Sequence, residues 1–256
     1  MYQIVYDEAQ VLKFYETVLP RLKKDEVYFV SLSARNKYLT AEERELYNLG
    51  RTEMYGKTII HEDTPEAFLR HIYRFECNER GYTTRNGQTI PSKCTVCYVN
   101  IHPSSVVKAI AQFQKLLTEC MTESMAICVD NRDTSNFVDR IVGLNNNLMA
   151  FYQQASGTKR WMDFDLDMEK DEEFRKAVDF SLRVVMHVTD FVWIDTKSGY
   201  HLLVDCKQYS NDPNKLVEYM HKVARQYTEI KFNSNSMVPL PGTTQSNYPV
   251  RILENI

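Results

Sequence analysis

The cleanest patterning in the chain begins at Arg160. In KRWMDFDLD, residues 159–167, a period of two puts Trp161, Asp163, Asp165 and Asp167 on one face and Met162, Phe164 and Leu166 on the other. That alternation predicts a strand over Arg160–Leu166. The period then lengthens: Phe174, Val178, Leu182 and Val185 recur at helical spacing and predict a helix over Glu172–His187. Strands are expected at Phe191–Ile194 and Tyr200–Cys206, joined by the turn Thr196-Lys197-Ser198-Gly199. Pro213 opens a second helix, Asn214–Tyr227, with Leu216, Tyr219, Met220 and Val223 inward, and a short strand follows near Thr228–Phe232. The order reads βαββαβ.

That order predicts a ferredoxin-like sheet, the arrangement also found in RNA-recognition modules, with strands one and three central and strand four beside strand one. Both helices then cover one face. Met162, Phe164 and Leu166 suit that covered face, so Asp163 and Asp165 are expected on the open one. Upstream, Val11, Leu12, Phe14, Tyr15, Val18 and Leu19 form a helical stripe that stops at Pro20, and Val27–Leu32 reads as a buried strand. Thr64-Pro65-Glu66 caps a helix with Phe68, Ile72 and Tyr73 inward and Arg70, His71 and Arg74 outward. Cys94–Ile101 is a further strand, and Ser104 caps a helix carrying Val106, Val107, Ile110, Phe113, Leu116 and Leu117. Residues 121–133 fit no single period; a helix from about Ser135 to Tyr152 then ends at Gly157. The expected class is α+β: an N-terminal α/β lobe over residues 1–157 packed on an RRM-like catalytic module over 158–256, the two forming one compact unit.

Composition narrows the setting. With 256 residues, 43% hydrophobic and 12% aromatic, the chain can bury a substantial core. A formal net charge of -3 provides no global basic field, so any contact with an acidic polymer must come from local patches. No run approaches the ~18 apolar residues of a membrane span, and the N-terminus lacks a signal-peptide layout, so no membrane partner is expected. The six cysteines are unevenly spaced in a chain too large to need disulfides, which favours a reducing cytoplasm. Cys94-x-x-Cys97, with Cys77 and His71, has enough ligands for zinc, but a single such pair inside a strand-like run reads better as buried thiols.

Three carboxylates on one face of a half-buried strand repel one another, and each is costly to desolvate. A divalent cation is the usual remedy, and magnesium takes one or two carboxylates plus waters and substrate phosphates. Asp167 and Glu169 fit a solvated strand end, whereas Asp163 and Asp165 sit among apolar positions and are the metal-ligand candidates. Gly199 permits a positive φ and close backbone approach at the turn, where Lys197, Ser198 and His201 can converge on a phosphate next to that metal. Arg35, Lys37 and Arg51 follow directly after the first strand and are candidates for contacting nucleic-acid phosphates.

These stretches together resemble the archaeo-eukaryotic primase superfamily, the primase-polymerases. Met162-Asp163-Phe164-Asp165 is similar to the family's first motif, whose acids bind the catalytic metals. Ser198-Gly199-Tyr200-His201 is similar to the second, which contacts the triphosphate of the incoming nucleotide. Pro239-Leu240-Pro241-Gly242-Thr243 resembles a segment that follows the third motif in plasmid and phage relatives, and Glu229 is a loose match to that motif's metal ligand. The resemblance implies template-directed nucleotidyl transfer, with Asp163, Asp165 and His201 catalytic, Asp163, Asp165 and Glu229 on Mg2+ or Mn2+, and Lys197, Ser198, Gly199 and His201 on the nucleotide. Nucleoside triphosphates and a single-stranded or primed template are the implied partners. No helicase or zinc-stem module is read in the chain, so a minimal core served by a separate helicase is expected. Two alternatives stand beside this. Asp195 with Asp205-Cys206-Lys207 has the form of a PD-(D/E)XK nuclease, and a non-catalytic nucleotide-binding replication protein would keep the fold without the chemistry.

Overall fold

The computed structural model describes residues 2–77, 81–84, 86–130, 144–209, 213–224, 230–232 and 237–254. Two antiparallel sheets organise them. The first contains β1 (Glu26–Arg35), β2 (Thr52–Ile60), β3 (Thr95–Asn100), β4 (Ser104–Ser105), β9 (Met237–Pro239), β10 (Thr244–Gln245) and β11 (Tyr248–Pro249). Its order is β11-β10-β3-β1-β2, with β4 also on β1 and β9 on β3. The second contains β5 (Trp161–Asp167), β6 (Phe191–Thr196), β7 (Gly199–Asp205), β8 (Ile230–Phe232) and β12 (Arg251–Leu253), in the order β12-β6-β7-β5-β8. The chain is therefore α+β, as the mixture of periods predicts.

Helices α1 (Glu8–Thr17), α2 (Ala41–Tyr47), α3 (Pro65–Tyr73), α4 (Val106–Asp130) and α5 (Leu144–Gln154) belong to the first part of the chain. α4 runs through most of the stretch that showed no clear period, and residues 131–143, where the next predicted helix begins, lie outside the described residues. α3 starts as expected, with the Thr64 hydroxyl accepting from the Ala67 amide at 3.2 Å and Pro65 in its first turn. His71, expected on its outer side, is buried instead and bonds the Thr58 hydroxyl at 2.9 Å.

The second sheet is covered on one face by α6 (Glu172–Phe180) and α7 (Pro213–Ala224). Met162, Phe164 and Leu166 of β5 and Tyr200, Leu202 and Val204 of β7 share a core with Phe174, Val178, Leu182, Leu216 and Met220. Burying a side chain of this size stabilises by roughly 1.5–3 kcal/mol, so this face fixes the register. The predicted helix to His187 is shorter as regular α-helix. It stops at Phe180 and passes into one wide turn over Ser181–Val185, which leaves Val185 exposed rather than inward.

The second core links the sheets. Trp161, Ile194 and Leu203 from the opposite face of the second sheet pack with Val11, Phe14, Val18 and Leu240. The Trp161 indole donates to the Val18 carbonyl at 2.6 Å, and the buried Glu26 carboxylate accepts from the Thr158 amide at 2.6 Å and its hydroxyl at 2.7 Å. Strands β9, β10 and β11, which the sequence reading placed in the module over 158–256, are built into the first sheet, and only β12 returns to the second. The Pro239–Thr243 stretch has a structural task there. Gly242 has φ +86°, its carbonyl accepts from the Tyr6 amide at 2.9 Å, and an added Cβ would lie 2.4 Å from the Asp7 carbonyl oxygen. Among the described residues no helix is long and apolar enough to cross a membrane.

Gly199 carries the turn from β6 to β7. Its φ is +145°, and a Cβ there would stand 2.0 Å from the Leu166 carbonyl oxygen. Gly87, with φ +77°, has nothing within 4 Å of the same position. Gly199→Ala should therefore destabilise by about 3 kcal/mol or more, whereas Gly87→Ala should cost only about 1 kcal/mol of left-handed backbone strain. Urea denaturation of both variants checks this, and equal losses would show that the turn tolerates a side chain.

Candidate functional site

The site grows from the pairing of β5 with β7. Their register sets Asp165 opposite His201 and Asp163 opposite Leu203, on the face away from α6 and α7. Asp163 is 1% exposed and His201 7%. The His201 Nδ1 lies 2.9 Å from the Asp163 Oδ1, and its Nε2 lies 3.6 Å from the Asp165 Oδ1. The second oxygen of Asp163 is buried without a hydrogen-bond partner among the described residues. Burial alone, the largest influence on His201, would lower its pKa; the charges of Asp163, Asp165 and Asp167 and the bond to Asp163 outweigh it, so the pKa is raised.

Beside this pair lies a cleft of about 570 Å³ between the two sheets. Asp165, Asp167, Ser198 and His201 line it from the second sheet, and Ser31, Ser33, Arg35, Lys37 and Arg51 line it from the first. All three basic residues singled out after the first strand thus face the acids, although more than a hundred residues separate them in sequence. The Lys37 ammonium donates to the Ser198 hydroxyl at 3.2 Å, joining the two walls. Arg35 donates from Nη1 to the Tyr98 phenol at 2.9 Å, while its Nε and the Ser31 hydroxyl are buried without a hydrogen-bond partner among the described residues. A cleft with acids on one wall and cations on the other suits a phosphate held through a metal on one side and charge-assisted hydrogen bonds on the other.

Other expected residues lie elsewhere. Lys197 does not line this cleft. Its ammonium donates to the Ser246 hydroxyl at 2.5 Å and sits 4.9 Å from the centre of the Tyr38 ring, beside a shallower adjoining hollow. Gly199 contributes through its backbone at the turn. Glu229 lies outside the described residues, and among those described no group of three His, Cys, Asp or Glu side chains is arranged around a metal position. The nuclease-like acids do not converge. Asp195, opposite Tyr200, is held by Lys170 and the Tyr248 phenol, both at 2.6 Å. Asp205 lies at the other end of β7, opposite Trp161, and pairs with Arg160 at 3.1 Å. Cys94 and Cys97 are buried thiols, the first pushed up to about 11 by burial, while Cys77 is exposed.

Ser31, Ser33, Tyr98 and His102 were not singled out from sequence. The two serines had a signal: with Arg35 they alternate with Leu32 and Ala34, which marks a polar face within an apolar run. His102 had none. It is buried, and its pKa is lowered to about 4, first by burial and then by the charge of Lys159, against an opposing pull from Asp163. No protein-family model, curated protein or solved structure matches this chain.

The pair of His201 with Asp163 sets a pH dependence. Because the native pKa of His201 is raised above its ordinary 6.5, its stabilisation is fully present below that value and is lost as pH rises through the native one. The stability gap between the parent and His201→Gln should therefore be largest near about pH 6 and narrow toward alkaline pH. In NMR titrations Asp163→Asn should lower the His201 midpoint. A midpoint indifferent to Asp163 would show that the pairing does not govern it.

Proposed function

We propose that this chain is a metal-dependent nucleotidyltransferase of the primase-polymerase type, extending nucleic acid along a template. The observation that carries the reading is the cleft, in which Arg35, Lys37 and Arg51 face Asp165, Ser198 and His201 across two separately built walls. The strand order β6-β7-β5-β8, with α6 and α7 on one face, supports a ferredoxin-like module as the second half of the chain.

The residues present fit a magnesium or manganese ion. Asp163 and Asp165 supply hard oxygen donors two positions apart on one strand face, and one Asp163 oxygen is buried with no hydrogen-bond partner among the described residues. In this reading Asp163 and Asp165 hold the ion, with Glu229 as the third acid. Such an ion, when bound, stabilises negative charge developing on the transferred phosphoryl group. The chain's own residues do the rest. His201 fixes the orientation of the Asp163 carboxylate by its 2.9 Å bond, leaving the other oxygen free to ligate. Ser198 and Lys37 bind the phosphate tail from opposite walls, and Arg35, oriented by Tyr98, holds a phosphate against the first sheet. Positioning and charge account for most of the acceleration in such reactions. The buried Cys94 and Cys97 thiols suit the cytoplasm as the place of action. The nuclease alternative gains no support from the separated Asp195 and Asp205.

The test combines the protein with labelled nucleoside triphosphates, a primed single-stranded template and Mg2+ or Mn2+. Extension products are expected, and Asp163→Asn with Asp165→Asn should abolish them while the fold survives. Lys37→Ala should weaken nucleotide affinity about ten- to a hundredfold, the loss of one charge-assisted hydrogen bond. Template degradation that persists in the double variant would overturn the reading, and so would nucleotide binding that is equally tight in EDTA.

A further inference from the structure

A second hollow, of about 450 Å³, lies at the opposite end of β5 from the acids. Arg21, Lys159, Arg160 and Lys207 line it, against only two carboxylates, Asp190 and Asp205. These residues come from the segment after α1, the approach to β5, the segment leading into β6 and the turn after β7, so the hollow is assembled by the tertiary fold.

Its charges are unequally committed. The Arg160 Nε pairs with the Asp205 Oδ2 at 3.1 Å, its Nη1 donates to the Thr17 carbonyl at 3.3 Å, and its guanidinium lies 4.4 Å from the centre of the Trp161 ring. The other Asp205 oxygen accepts from the Lys207 amide at 2.8 Å. Asp205 is thus satisfied within the wall and contributes little free negative charge. Lys159 and Lys207 are exposed and have no carboxylate within ion-pair distance among the described residues. Two unneutralised ammonium groups flank a guanidinium held rigid by stacking and pairing, which is the donor set that phosphate oxygens take. Five residues separate Arg160 from Asp165, about 17 Å at 3.3 Å per residue, so one phosphate group cannot serve both places.

We propose that this hollow is a second phosphate-binding site, distinct from the cleft, that takes a phosphodiester of a nucleic-acid strand through Lys159, Lys207 and Arg160. It also gives Lys207 a task other than the nuclease one. The inference does not depend on nucleotidyl transfer, because it requires neither the acids nor a metal.

The experiment uses the full chain in EDTA, where the acids contribute no metal-mediated affinity. Binding of a labelled single-stranded oligonucleotide is followed by fluorescence anisotropy over a salt series, and binding of inorganic pyrophosphate by calorimetry. Lys159→Ala with Lys207→Ala should weaken oligonucleotide binding about tenfold at low salt and flatten the slope of log affinity against log salt by about 1 to 2. Lys159→Arg with Lys207→Arg should retain both, which separates lost charge from lost fold, and Lys115→Ala on the exposed side of α4 is the control. Loss of pyrophosphate binding with the oligonucleotide unaffected would assign the site to a small phosphate ligand and overturn the nucleic-acid assignment. Neither probe responding would overturn the site altogether.

Discussion

A carboxylate that is nearly inaccessible to water must be matched by a cation or a set of donors, because its desolvation otherwise costs several kcal/mol. Asp163 meets that constraint through His201, 2.9 Å away on the adjacent strand. Everything that places the pair follows from the register of β5 on β7. That register is set on the far face, where Met162, Phe164 and Leu166 fill the core under α6 and α7. A slip by one residue would drive Asp163 and Asp165 into that core and expose its apolar side chains, so the alternate state is excluded by the same burial that stabilises the sheet. Gly199 closes the arrangement at the turn, where the Leu166 carbonyl leaves no room for a side chain.

The cleft needs two walls in fixed relation, and the chain supplies several cross-ties. Trp161 is anchored on the Val18 carbonyl, Glu26 receives both donors of Thr158, and Ile194 and Leu203 share a core with α1. The C-terminal stretch adds a tie of another kind. It leaves the second sheet to form β9 to β11 in the first and then returns as β12. A chain that crosses between sheets in this way cannot open the cleft widely without breaking strand pairs. The Lys37–Ser198 contact therefore reports a built juxtaposition of walls rather than a chance approach of two surface side chains.

Much of this was legible in the pattern of residues. Period-two alternation over seven residues of β5 identified both its buried face and its acids, and helical spacing identified α6 and α7, because long periodic segments average out local exceptions. Arg35 at the end of β1, Lys37 just beyond it and Arg51 directly before β2 line the cleft for a simpler reason: a strand end is where a cation can face an opening between sheets. What failed was non-local. Strands of two or three residues such as β9, β10 and β11 carry no periodic signal, and the pairing of β9 and β10 with β3 spans more than a hundred residues, so neither these strands nor their place in the first sheet is expected from sequence. Lys197 was read from its place beside Ser198, but a flexible side chain goes to its best acceptor, which the fold supplies at Ser246. His71 was assigned to the outer side of its helix, yet β2 offers the Thr58 hydroxyl as a partner and covers it.

The chemistry of the cations facing the acids explains how such a cleft stays receptive. A guanidinium placed opposite carboxylates will pair with them if nothing intervenes, and a bidentate pair would spend the charge and close the gap. Arg35 instead donates to the Tyr98 phenol, with no carboxylate inside ion-pair distance among the described residues, and keeps its Nε without a partner. A neutral phenol orients the group without neutralising it. The charge is therefore not spent within the wall, and an anion proposed to bind there would displace only a modest hydrogen bond. The same logic separates this wall from the Arg160–Asp205 pair at the far end of β5, where the guanidinium is neutralised and the neighbouring lysines carry the uncommitted charge. On the proposed reading, a chain of net charge -3 would meet a polyanion at two local surfaces without a basic field over the whole molecule, each surface setting its strength by which of its cations already has a carboxylate.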